Sequence, residues 1–448
     1  MHVACVVSEL DLCNIYYMAM TRRQYLQVAA GFTLARSALS ANFVEQPGSL
    51  APRADFPGLG RPIEGHPVVY LDSAATTLRP TSVIDAISDF YRHDNANPSP
   101  SMHFLARRAA ERYAQARVTV ARFINAAPEE IIWVRGTTEA INLAAASWGL
   151  GLRAGDEIII SIAEHYSNLL PWRTIAQRTN TVVKTFDVDD EGRFKLDDLK
   201  RQISSRTRMV AVTHVSNVLG LVNPVAEVAA IAHKAGALLL VDGAQSAPHM
   251  AIDVRALDCD FFAYSSHKLL GPMGVGVLYA KRALLESLPP YQTGSNMAHN
   301  VDSASAELEH GAQKFQAGTP NVSGPIGLAA AVRYLDVIGA KTIEAHDELL
   351  VRHGLSRFRE IKGLRLLGPT TEQQRVPVFS FTLAGRSVPE LVTALDREGI
   401  AIRGGDLAAL PLLRRLAGVD AAARASAYLY NSTSDLDRLA DVLKSLAR

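Results

Sequence analysis

Two ionisable residues stand where apolar segments of the sequence end. Lys268 closes the run Ser265-Ser266-His267-Lys268 after the apolar residues 261–264, and Asp242 follows the apolar residues 237–241. A charge at the exit of a buried strand is costly unless it has a partner or a chemical task. A lysine can form a Schiff base with an aldehyde, an aspartate can pair with a pyridinium nitrogen, and pyridoxal phosphate (PLP) needs both groups. The two residues therefore predict a PLP site.

A third segment could hold the phosphate of that cofactor. Gly136, Thr137 and Thr138 lie between a predicted strand and a predicted helix. The glycine permits a tight turn, and the threonines present backbone amides and hydroxyls at a helix N-terminus, which attracts anions. The alternative is an ordinary helix start, in which a threonine caps the helix ahead of Glu139. The neighbouring lysine and aspartate favour the phosphate.

Three further side chains follow other predicted strands. His165 could stack on a planar cofactor, although a lone histidine is more often structural. The amides of Asn217 and Gln245 could reach substituents of the cofactor ring. Each signal is weak alone, but open α/β sheets bind ligands at the carboxyl ends of their strands, where all of these residues are predicted to lie.

Apolar runs alternate with segments of helical periodicity along the chain. The predicted strands cover residues 68–71, 131–134, 157–161, 182–186, 209–213, 237–241, 261–264 and 275–280, and the predicted helices cover 81–92, 105–123, 137–148, 225–235, 327–338 and 434–446. Strands that are apolar throughout indicate a sheet covered on both faces, and the helices between them indicate right-handed crossovers in a largely parallel sheet.

The same pattern predicts how the chain divides. We predict a leader over residues 1–45, an irregular arm over 46–67 and a large α/β domain over 68–325. A smaller C-terminal α+β domain is predicted over residues 326–448, with residues 68–95 packing on it.

Composition excludes several classes of protein. The 448 residues carry 46 basic and 45 acidic side chains, and a net charge of +1 attracts neither nucleic acid nor an anionic membrane. Three cysteines cannot build a disulfide framework, and Cys259 is predicted to be a small buried hydrophobe ahead of a strand. No apolar run is long enough for a transmembrane helix, and we predict no metal site.

The N-terminal residues resemble an export signal. Arg22 and Arg23 precede a mildly apolar stretch and then small residues, as in bacterial twin-arginine signals, with Met18 or Met20 as the start. This pattern predicts a periplasmic protein, and without export the protein would be cytoplasmic. The alternatives are an unstructured or helical extension with two chance arginines and a mitochondrial transit peptide, which is also rich in arginine.

Five motifs taken together resemble a known family. They are RGTTE at 135–139, HVSNVLG at 214–220, DGAQ at 242–245, SHK at 266–268 and AGTPN at 317–321. This set resembles the fold-type I PLP enzymes of aminotransferase class V, and among them the cysteine desulfurase and selenocysteine lyase group. The resemblance implies a mostly parallel, seven-stranded sheet between helices, a smaller C-terminal α+β domain and a homodimer with shared active sites.

The resemblance also implies roles for the cofactor-binding residues. Lys268 would bind PLP covalently, Asp242 would pair with the pyridine nitrogen and His165 would stack on the ring, so that these three form the catalytic set. The other contacts to the cofactor would come from Thr137, Thr138, Asn217, Gln245, Ser265 and His267. Thr319 would reach the phosphate from the other subunit of the dimer.

The substrate would be a small amino acid or a metabolite that carries one. Arg424 matches the arginine that holds the substrate carboxylate, a task that suits a guanidinium fork. Arg403 and His103 also match residues that contact the substrate. The sequence departs from the family over residues 98–101, where Pro-Ser-Pro-Ser replaces the His-Arg-Gly stretch ahead of the matching histidine.

A second departure bears on the reaction. In the desulfurases a loop with the pattern R-x-G-x-x-C-x-x-P delivers the nucleophilic thiol, and residues 403–411 match it with Ala408 at the cysteine position. An alanine cannot accept sulfur, which excludes persulfide formation on this loop. Whether Asp406 takes part in catalysis is left open.

PLP chemistry that needs no thiol remains possible. Lys268 can act as general base or acid at the substrate Cα, so elimination, racemisation, transamination and decarboxylation are all open. We expect β-elimination of a C–S or C–Se bond. The alternatives are an exported enzyme that modifies a peptide side chain, an epimerase similar to isopenicillin N epimerase and a non-catalytic PLP-binding protein.

Overall fold

Uninterrupted apolar sequence builds the centre of the molecule. The computed structural model describes residues 48–99 and 101–447. In the segments Glu157–Ser161, Phe261–Ser265 and Gly276–Ala280 every residue is buried, because helices cover both faces of the sheet that they form. This burial agrees with the prediction drawn from their composition.

The described chain alternates between strands and helices. The strands are β1 (Val69–Tyr70), β2 (Ile131–Val134), β3 (Glu157–Ser161), β4 (Val182–Phe186), β5 (Thr207–Thr213), β6 (Leu238–Asp242), β7 (Phe261–Ser265), β8 (Gly276–Ala280), β9 (Ala298–His299), β10 (Glu307–Leu308), β11 (Leu364–Leu366), β12 (Val378–Leu383), β13 (Ile400–Ala401), β14 (Arg403–Gly405) and β15 (Ala422–Ser426). The helices are α1 (Thr81–Asp89), α2 (Phe104–Phe123), α3 (Thr137–Gly149), α4 (Leu170–Thr179), α5 (Leu196–Gln202), α6 (Val225–Lys234), α7 (Arg282–Ser287), α8 (Ser323–Ile338), α9 (Ala340–Arg359), α10 (Val388–Arg397), α11 (Leu410–Ala417) and α12 (Thr433–Leu446).

Seven strands form the large sheet in the order β2-β8-β7-β6-β5-β3-β4. Only β8 runs against its neighbours, so the carboxyl ends of the other six strands meet at one edge. Alternate residues of the central strands enter two separate apolar clusters, with Val210 and Leu239 in one and Met209 and Leu240 in the other. The predicted mostly parallel, seven-stranded sheet between helices is confirmed.

A smaller sheet lies in the C-terminal part of the chain. Its four strands are antiparallel in the order β11-β12-β15-β14, and α9 and α12 supply much of the apolar cluster that covers it. The short strand β1 pairs in parallel with β13, with Val69 opposite Ile400. The predicted domain boundary at 325/326 stays a prediction. Ile326 and Ala329 of α8 share an apolar cluster with Phe90, directly after α1, and with Ala109 of α2.

The predicted elements differ from the observed ones mainly at their ends. The helix predicted over 81–92 is wrong at its C-terminus, since α1 ends at Asp89 and a single wide π turn follows over Phe90–Asp94. That turn brings Asp94 to Arg112, with 2.7 Å between carboxylate and guanidinium, so an ion pair takes the place of further α-helical turns.

Three other sequence predictions concern single features. Cys259 is fully buried and burial raises the pKa of its thiol to about 12, which confirms the prediction of an inert small hydrophobe. Within residues 48–99 and 101–447, no helix is both long and apolar enough to cross a membrane. The leader predicted over residues 1–45 lies outside the described residues.

Candidate active site

A cavity of about 440 Å³ opens at the carboxyl edge of the large sheet. Side chains that follow β2, β3, β6 and β7 form one wall of it, and residues of β14, β15 and the loop after β14 form the other. Eleven of the predicted site residues line this cavity: Thr137, Thr138, His165, Asn217, Asp242, Gln245, Ser265, His267, Lys268, Arg403 and Arg424. Residues up to 287 positions apart are thereby brought to one site, and the position in the sheet is the one expected for ligand binding.

Lys268 lies on a single 3-10 turn, Ser266–Lys268, directly after β7. Its ammonium makes no hydrogen bond or salt bridge to any residue of the described chain, although most of the side chain is buried. Loss of solvent lowers the pKa of Lys268 to about 8, the nearby Asp242 opposes that shift and Arg424 adds to it. A lysine of this kind is readily neutral and reactive near neutral pH.

Asp242 is the last residue of β6 and is buried. One carboxylate oxygen accepts a hydrogen bond of 2.9 Å from the backbone N–H of Ala244. Burial raises the pKa of Asp242, and the Ala244 amide and the Lys268 charge only partly offset this. The site therefore holds a carboxylate that lacks a direct cationic partner, which a protonated pyridine nitrogen would supply.

Hydroxyls and a helix N-terminus form an anion site at one end of the cavity. The Ser265 hydroxyl accepts a hydrogen bond of 2.8 Å from the backbone N–H of Thr137, and the two side-chain oxygens are 2.7 Å apart. The 13-residue helix α3 begins at Thr137, so its positive end faces this position. A Cβ on Gly276 would come within 2.5 Å of the Gly136 Cα, which explains why glycines pack this turn.

Two histidines in the cavity are neutral. Burial and the Lys268 charge lower the pKa of both His165 and His267 to about 4. The Nδ1 atom of His165 accepts a hydrogen bond of 3.0 Å from the backbone N–H of Ser167, so the ring proton is on Nε2. A neutral ring with a fixed tautomer can stack on a planar group without bringing a charge.

The amides of Asn217 and Gln245 line the cavity but already have protein partners. Asn217 donates to the backbone oxygen of Leu407 over 2.9 Å, and Gln245 donates to that of Ala74 over 2.7 Å. Their donor groups therefore bind segments of the cavity wall to the large sheet. Each side chain keeps its oxygen and its second N–H for a bound ring.

These features fit PLP. The anion site matches the phosphate, Asp242 matches the pyridine nitrogen, and an unpartnered Lys268 inside the cavity matches the aldehyde. The neutral imidazole of His165 lines the same cavity and could stack on the pyridine ring of PLP. No group of three or more His, Cys, Asp or Glu suited to a metal ion occurs in the described part of the chain.

Two predicted residues lie elsewhere. Thr319 is exposed and lines a different cavity of about 410 Å³ with Arg135 and Trp133, and its contact with the partner subunit's site stays a prediction. His103 is exposed and caps α2, accepting a hydrogen bond of 3.3 Å from the backbone N–H of Ala106. Within one chain, neither side chain lines the 440 Å³ cavity: Thr319 lines the second cavity and His103 caps a helix.

Arg403 and Arg424 line one end of the cavity, here called the substrate end, and belong to an ionic cluster that the sequence did not predict. Asp72 contacts Arg403 with distances of 2.6 and 3.3 Å and Arg424 with a distance of 3.4 Å. Arg424 is buried and also donates to the backbone oxygen of Asn217. The signal for Asp72 is an acid directly after a short apolar strand, the same signal that identified Asp242.

The loop after β14 closes this end of the cavity. Leu407 and Ala408 both have positive φ angles, 52° and 53°, an unfavourable conformation for residues with a Cβ. The Tyr166 backbone N–H donates to the Ala408 oxygen over 2.8 Å, and the Tyr166 hydroxyl donates to Asp406 over 2.7 Å. These bonds hold the strained backbone in place, and Ala408 faces the cavity.

Glu164 is a second residue that sequence reasoning missed. Its buried carboxyl group accepts hydrogen bonds from Asn168 over 2.6 Å and from the backbone N–H of Thr213 over 3.0 Å. Burial raises the pKa of Glu164 to about 8, and the nearby Asp242 adds to the shift. The residue braces the chain behind His165, and its signal is its place in the strand-exit segment 163–168.

The fold and this site together define a fold-type I PLP-dependent enzyme. The chain belongs to the aminotransferase class-V family, whose sequence model matches residues 69–439. Within that family it is a cysteine-desulfurase-like protein, which confirms the expected cofactor and enzyme class.

Known proteins support this assignment at the level of sequence and structure. The chain is 46% identical over 391 residues to a protein of Halalkalibacterium halodurans named "Probable cysteine desulfurase", covering 87% of this chain and 95% of that protein. Its fold matches the apo cysteine desulfurase of Thermococcus onnurineus with a TM-score of 0.84 and 35% identity, over 88% of this chain and 97% of that one. The cysteine desulfurase CsdA of Escherichia coli matches with a TM-score of 0.81 and 39% identity, over 88% and 96%.

Proposed function

We propose that this enzyme cleaves the C–S or C–Se bond of an amino acid by β-elimination and does not transfer sulfur to a cysteine of its own loop. One observation carries the proposal: Ala408 faces the cavity in the loop after β14. In the described chain the free thiol is that of Cys259, which precedes β7, whereas the cavity lies beyond the carboxyl end of that strand. A methyl group cannot accept sulfur, so sulfide or selenide has to leave.

Lys268 is the acid–base group that such a reaction needs. Bound PLP supplies the electron sink that stabilises negative charge at Cα. Lys268, with its lowered pKa, can take the proton from Cα, and the sulfur then leaves Cβ with the electron pair of the C–S bond. With cysteine as substrate, cysteine and water give sulfide, pyruvate and ammonia.

The other residues bind and orient. Asp242 would pair with the pyridine nitrogen, and the neutral His165 would restrict the ring from one face. At the opposite end, Arg403 and Arg424 offer guanidinium groups to the substrate carboxylate. This division leaves Lys268 free to act at Cα.

Product analysis tests the proposal. Holoenzyme is incubated with L-cysteine, L-cystine and L-selenocysteine, and pyruvate, alanine and sulfide or selenide are measured. Pyruvate should form in step with ammonia for at least one of these substrates. Alanine in place of pyruvate would contradict β-elimination, because it requires the sulfur or selenium atom to leave the carbon chain without loss of the amino group.

A single substitution provides the matched comparison. The Ala408→Cys variant restores a thiol at the position that faces the cavity and should carry persulfide after incubation with L-cysteine, as detected by mass spectrometry. The unaltered protein should carry none. Persulfide on the unaltered chain would refute the argument from Ala408.

An epimerase is the second candidate, and Asp406 is the observation that favours it. This carboxylate lines the same cavity as Lys268, and its pKa is held below the usual range mainly by a hydrogen bond from the Ala408 backbone N–H. Held in its charged form, this carboxylate could take a proton from Cα as a second base, while Lys268 delivers one from a different direction. Deuterium exchange at Cα in D₂O together with a D-isomer product, and without pyruvate, would identify this activity.

We further propose export through the twin-arginine motif at Arg22 and Arg23. Cell fractionation of the full chain and of a double Arg22→Lys, Arg23→Lys variant tests it. The unaltered chain should be found in the periplasm, with an N-terminus beyond these residues by mass spectrometry, and the variant in the cytoplasm. Equal distribution of the two would contradict export by this route.

A further inference from the structure

Two arginines at the substrate end of the cavity are forced together by the small sheet. Arg403 on β14 and Arg424 on β15 are directly opposite each other in the antiparallel register. Side chains of directly paired residues lie on the same face of a sheet, and like charges at such positions repel. An anion between the two guanidinium groups would offset this repulsion.

Asp72 is that anion. Its carboxylate contacts Arg403 at 2.6 and 3.3 Å, a two-pronged arrangement, and reaches Arg424 at 3.4 Å. Among the described residues it is the only carboxylate paired with either arginine. The two arginines and the aspartate together carry one net positive charge.

The position of Asp72 is fixed by backbone bonds on both sides. Leu71 donates to the Ala401 oxygen over 2.9 Å and accepts from Ser426 over 2.7 Å, and Ser73 donates to the Ser426 oxygen over 3.2 Å. Ala74, two residues further on, lines the cavity. The Asp72 carboxylate therefore contacts the cavity arginines from a segment that backbone hydrogen bonds tie to the small sheet.

The surroundings of the arginines show why a counter-ion matters. Arg424 is buried, its Nε has no hydrogen-bond partner and burial lowers its pKa to about 10, a shift that Asp72 opposes. Arg403 is exposed, and its only ionic contact within the described chain is Asp72. Without Asp72, one arginine would lose a stabilising charge and the other would lose its fixed orientation.

We propose that Asp72 is a positioning residue that aligns Arg403 and Arg424 for a single substrate carboxylate and sets the charge of this subsite. The inference rests on the proposed function, in which the arginines bind the carboxylate of an amino acid. It adds a specificity: a site with one net positive charge accepts a monocarboxylate and disfavours a second negative charge at the same point.

The test uses holoenzyme and the isosteric variant Asp72→Asn. Binding of propionate and of malonate is measured by the rise in melting temperature with ligand concentration, which needs no turnover. Propionate affinity should fall about tenfold or more, as expected for loss of a charge-assisted hydrogen bond network. The ratio of malonate to propionate affinity should rise about tenfold, because the subsite gains one positive charge.

Two further variants separate positioning from general stability. Asp72→Glu keeps the charge and should retain the preference for propionate. Asp187→Asn is the matched control, since Asp187 also pairs with an arginine, Arg415, at 2.9 and 3.2 Å but does not line the cavity. An unchanged affinity ratio in Asp72→Asn, or the same change in Asp72→Glu, would overturn the inference.

Measurements of KM and kcat distinguish a failure of this inference from a failure of the proposed function. For the variant Asp72→Asn, the KM of an active substrate should rise about tenfold while kcat changes less than about threefold. If the unaltered enzyme turns over no sulfur or selenium amino acid, the proposed reaction fails, but the propionate and malonate measurements still decide the role of Asp72.

Discussion

At the cofactor end of the cavity the side chains stand directly beyond strands of the large sheet, whereas at the substrate end they come from segments far apart in the sequence. Lys268 and Asp242 each lie within three residues of the end of a buried strand. Asp72 meets Arg403 and Arg424 across 331 and 352 residues. The first arrangement is set by strand order alone, and the second by the docking of β1 beside the small sheet.

The two ends also differ in how their charges are compensated. Lys268 makes no hydrogen bond within the described chain, and Asp242 accepts one from the Ala244 backbone N–H but has no cationic partner in direct contact, so both charges suit a cofactor. The arginines of the substrate end already have an internal carboxylate. Charge compensation at the cofactor end would thus come from the cofactor itself, whereas at the substrate end a resident carboxylate, Asp72, already pairs with the arginines that would bind the ligand.

The largest effect should come from Lys268→Ala at the cofactor end. Turnover should fall by at least about 10³, because the variant loses both the covalent attachment of PLP and the base at Cα. The visible absorption of lysine-bound PLP should disappear as well. Activity assays and absorption spectra of PLP-supplemented protein check this, with Lys195→Ala, an exposed lysine paired with Asp187, as control. Retained activity would mean that another amine does the work.

The pH dependence of cofactor uptake probes the same lysine. Only a neutral amine attacks an aldehyde, so the rate of PLP incorporation into apoprotein should rise about tenfold per pH unit below the Lys268 pKa of about 8 and level off above it. Because the Asp242 charge raises the pKa of Lys268, the Asp242→Asn variant should level off at lower pH. Stopped-flow absorption measures both profiles. An unshifted midpoint would contradict the coupling of the two groups.

The cofactor end could be predicted from the sequence because its signals are local. In a parallel sheet, a polar residue that ends or follows an apolar strand must lie at the carboxyl edge of the sheet. This rule predicted the positions of Thr137, His165, Asp242 and Lys268. Their clustering in one cavity follows from the order of the strands. The hydrogen-bond partners of the Asn217 and Gln245 side chains could not be predicted from the sequence, because each partner is a backbone oxygen of a segment distant in the chain.

The substrate end could be predicted only in part. Arg403 and Arg424 were identified by resemblance, but Asp72 was missed because its contacts depend on the register between β1 and β13 and on the pairing of β14 with β15. The loop conformation at Leu407 and Ala408 was also beyond reach, because neither residue is one that favours a positive φ. The predicted roles of Thr319 and His103 are not explained by one chain, because neither side chain lines its cavity.

A smaller effect is expected for the stability of the Asp242→Asn apoprotein. Burial raises the pKa of Asp242, so the folded state binds a proton more tightly than the unfolded state. Its contribution is favourable below the unfolded pKa of 3.8 and is lost as the pH rises through the folded value. At pH 7 the uncharged variant should therefore be more stable, by roughly 1 kcal/mol.

Urea unfolding of the apoproteins at several pH values measures this difference. The gap between variant and unaltered protein should shrink as the pH falls towards 4, because the aspartate then becomes neutral. Asp197→Asn, at a side chain that is 85% exposed, should show no such trend. Bound PLP should reverse the order at pH 7, since only the aspartate can pair with the pyridine nitrogen. A less stable Asp242→Asn apoprotein would refute the argument from burial.

The smallest effect should come from Tyr166→Phe at the substrate end. The change removes the hydroxyl that donates to Asp406 but leaves the backbone bond from Tyr166 to Ala408. The free energy of unfolding should fall by less than about 1 kcal/mol, the net worth of one partly exposed hydrogen bond. Hydrogen exchange at residues 406–409 should nevertheless accelerate several-fold, because the strained backbone loses one of its restraints.

The control for that loop is Tyr291→Phe, which removes an equivalent hydrogen bond of 2.6 Å to Glu139 far from residues 406–409. It should leave exchange in the loop unchanged. If Tyr166→Phe also leaves it unchanged, the hydrogen bonds from the Tyr166 backbone N–H and the Asn217 side-chain amide suffice to hold the loop, and the left-handed conformation at Leu407 and Ala408 is a rigid part of the wall. If exchange accelerates, the substrate end is the mobile half of the cavity, which is the property expected of the part that must admit and release a substrate.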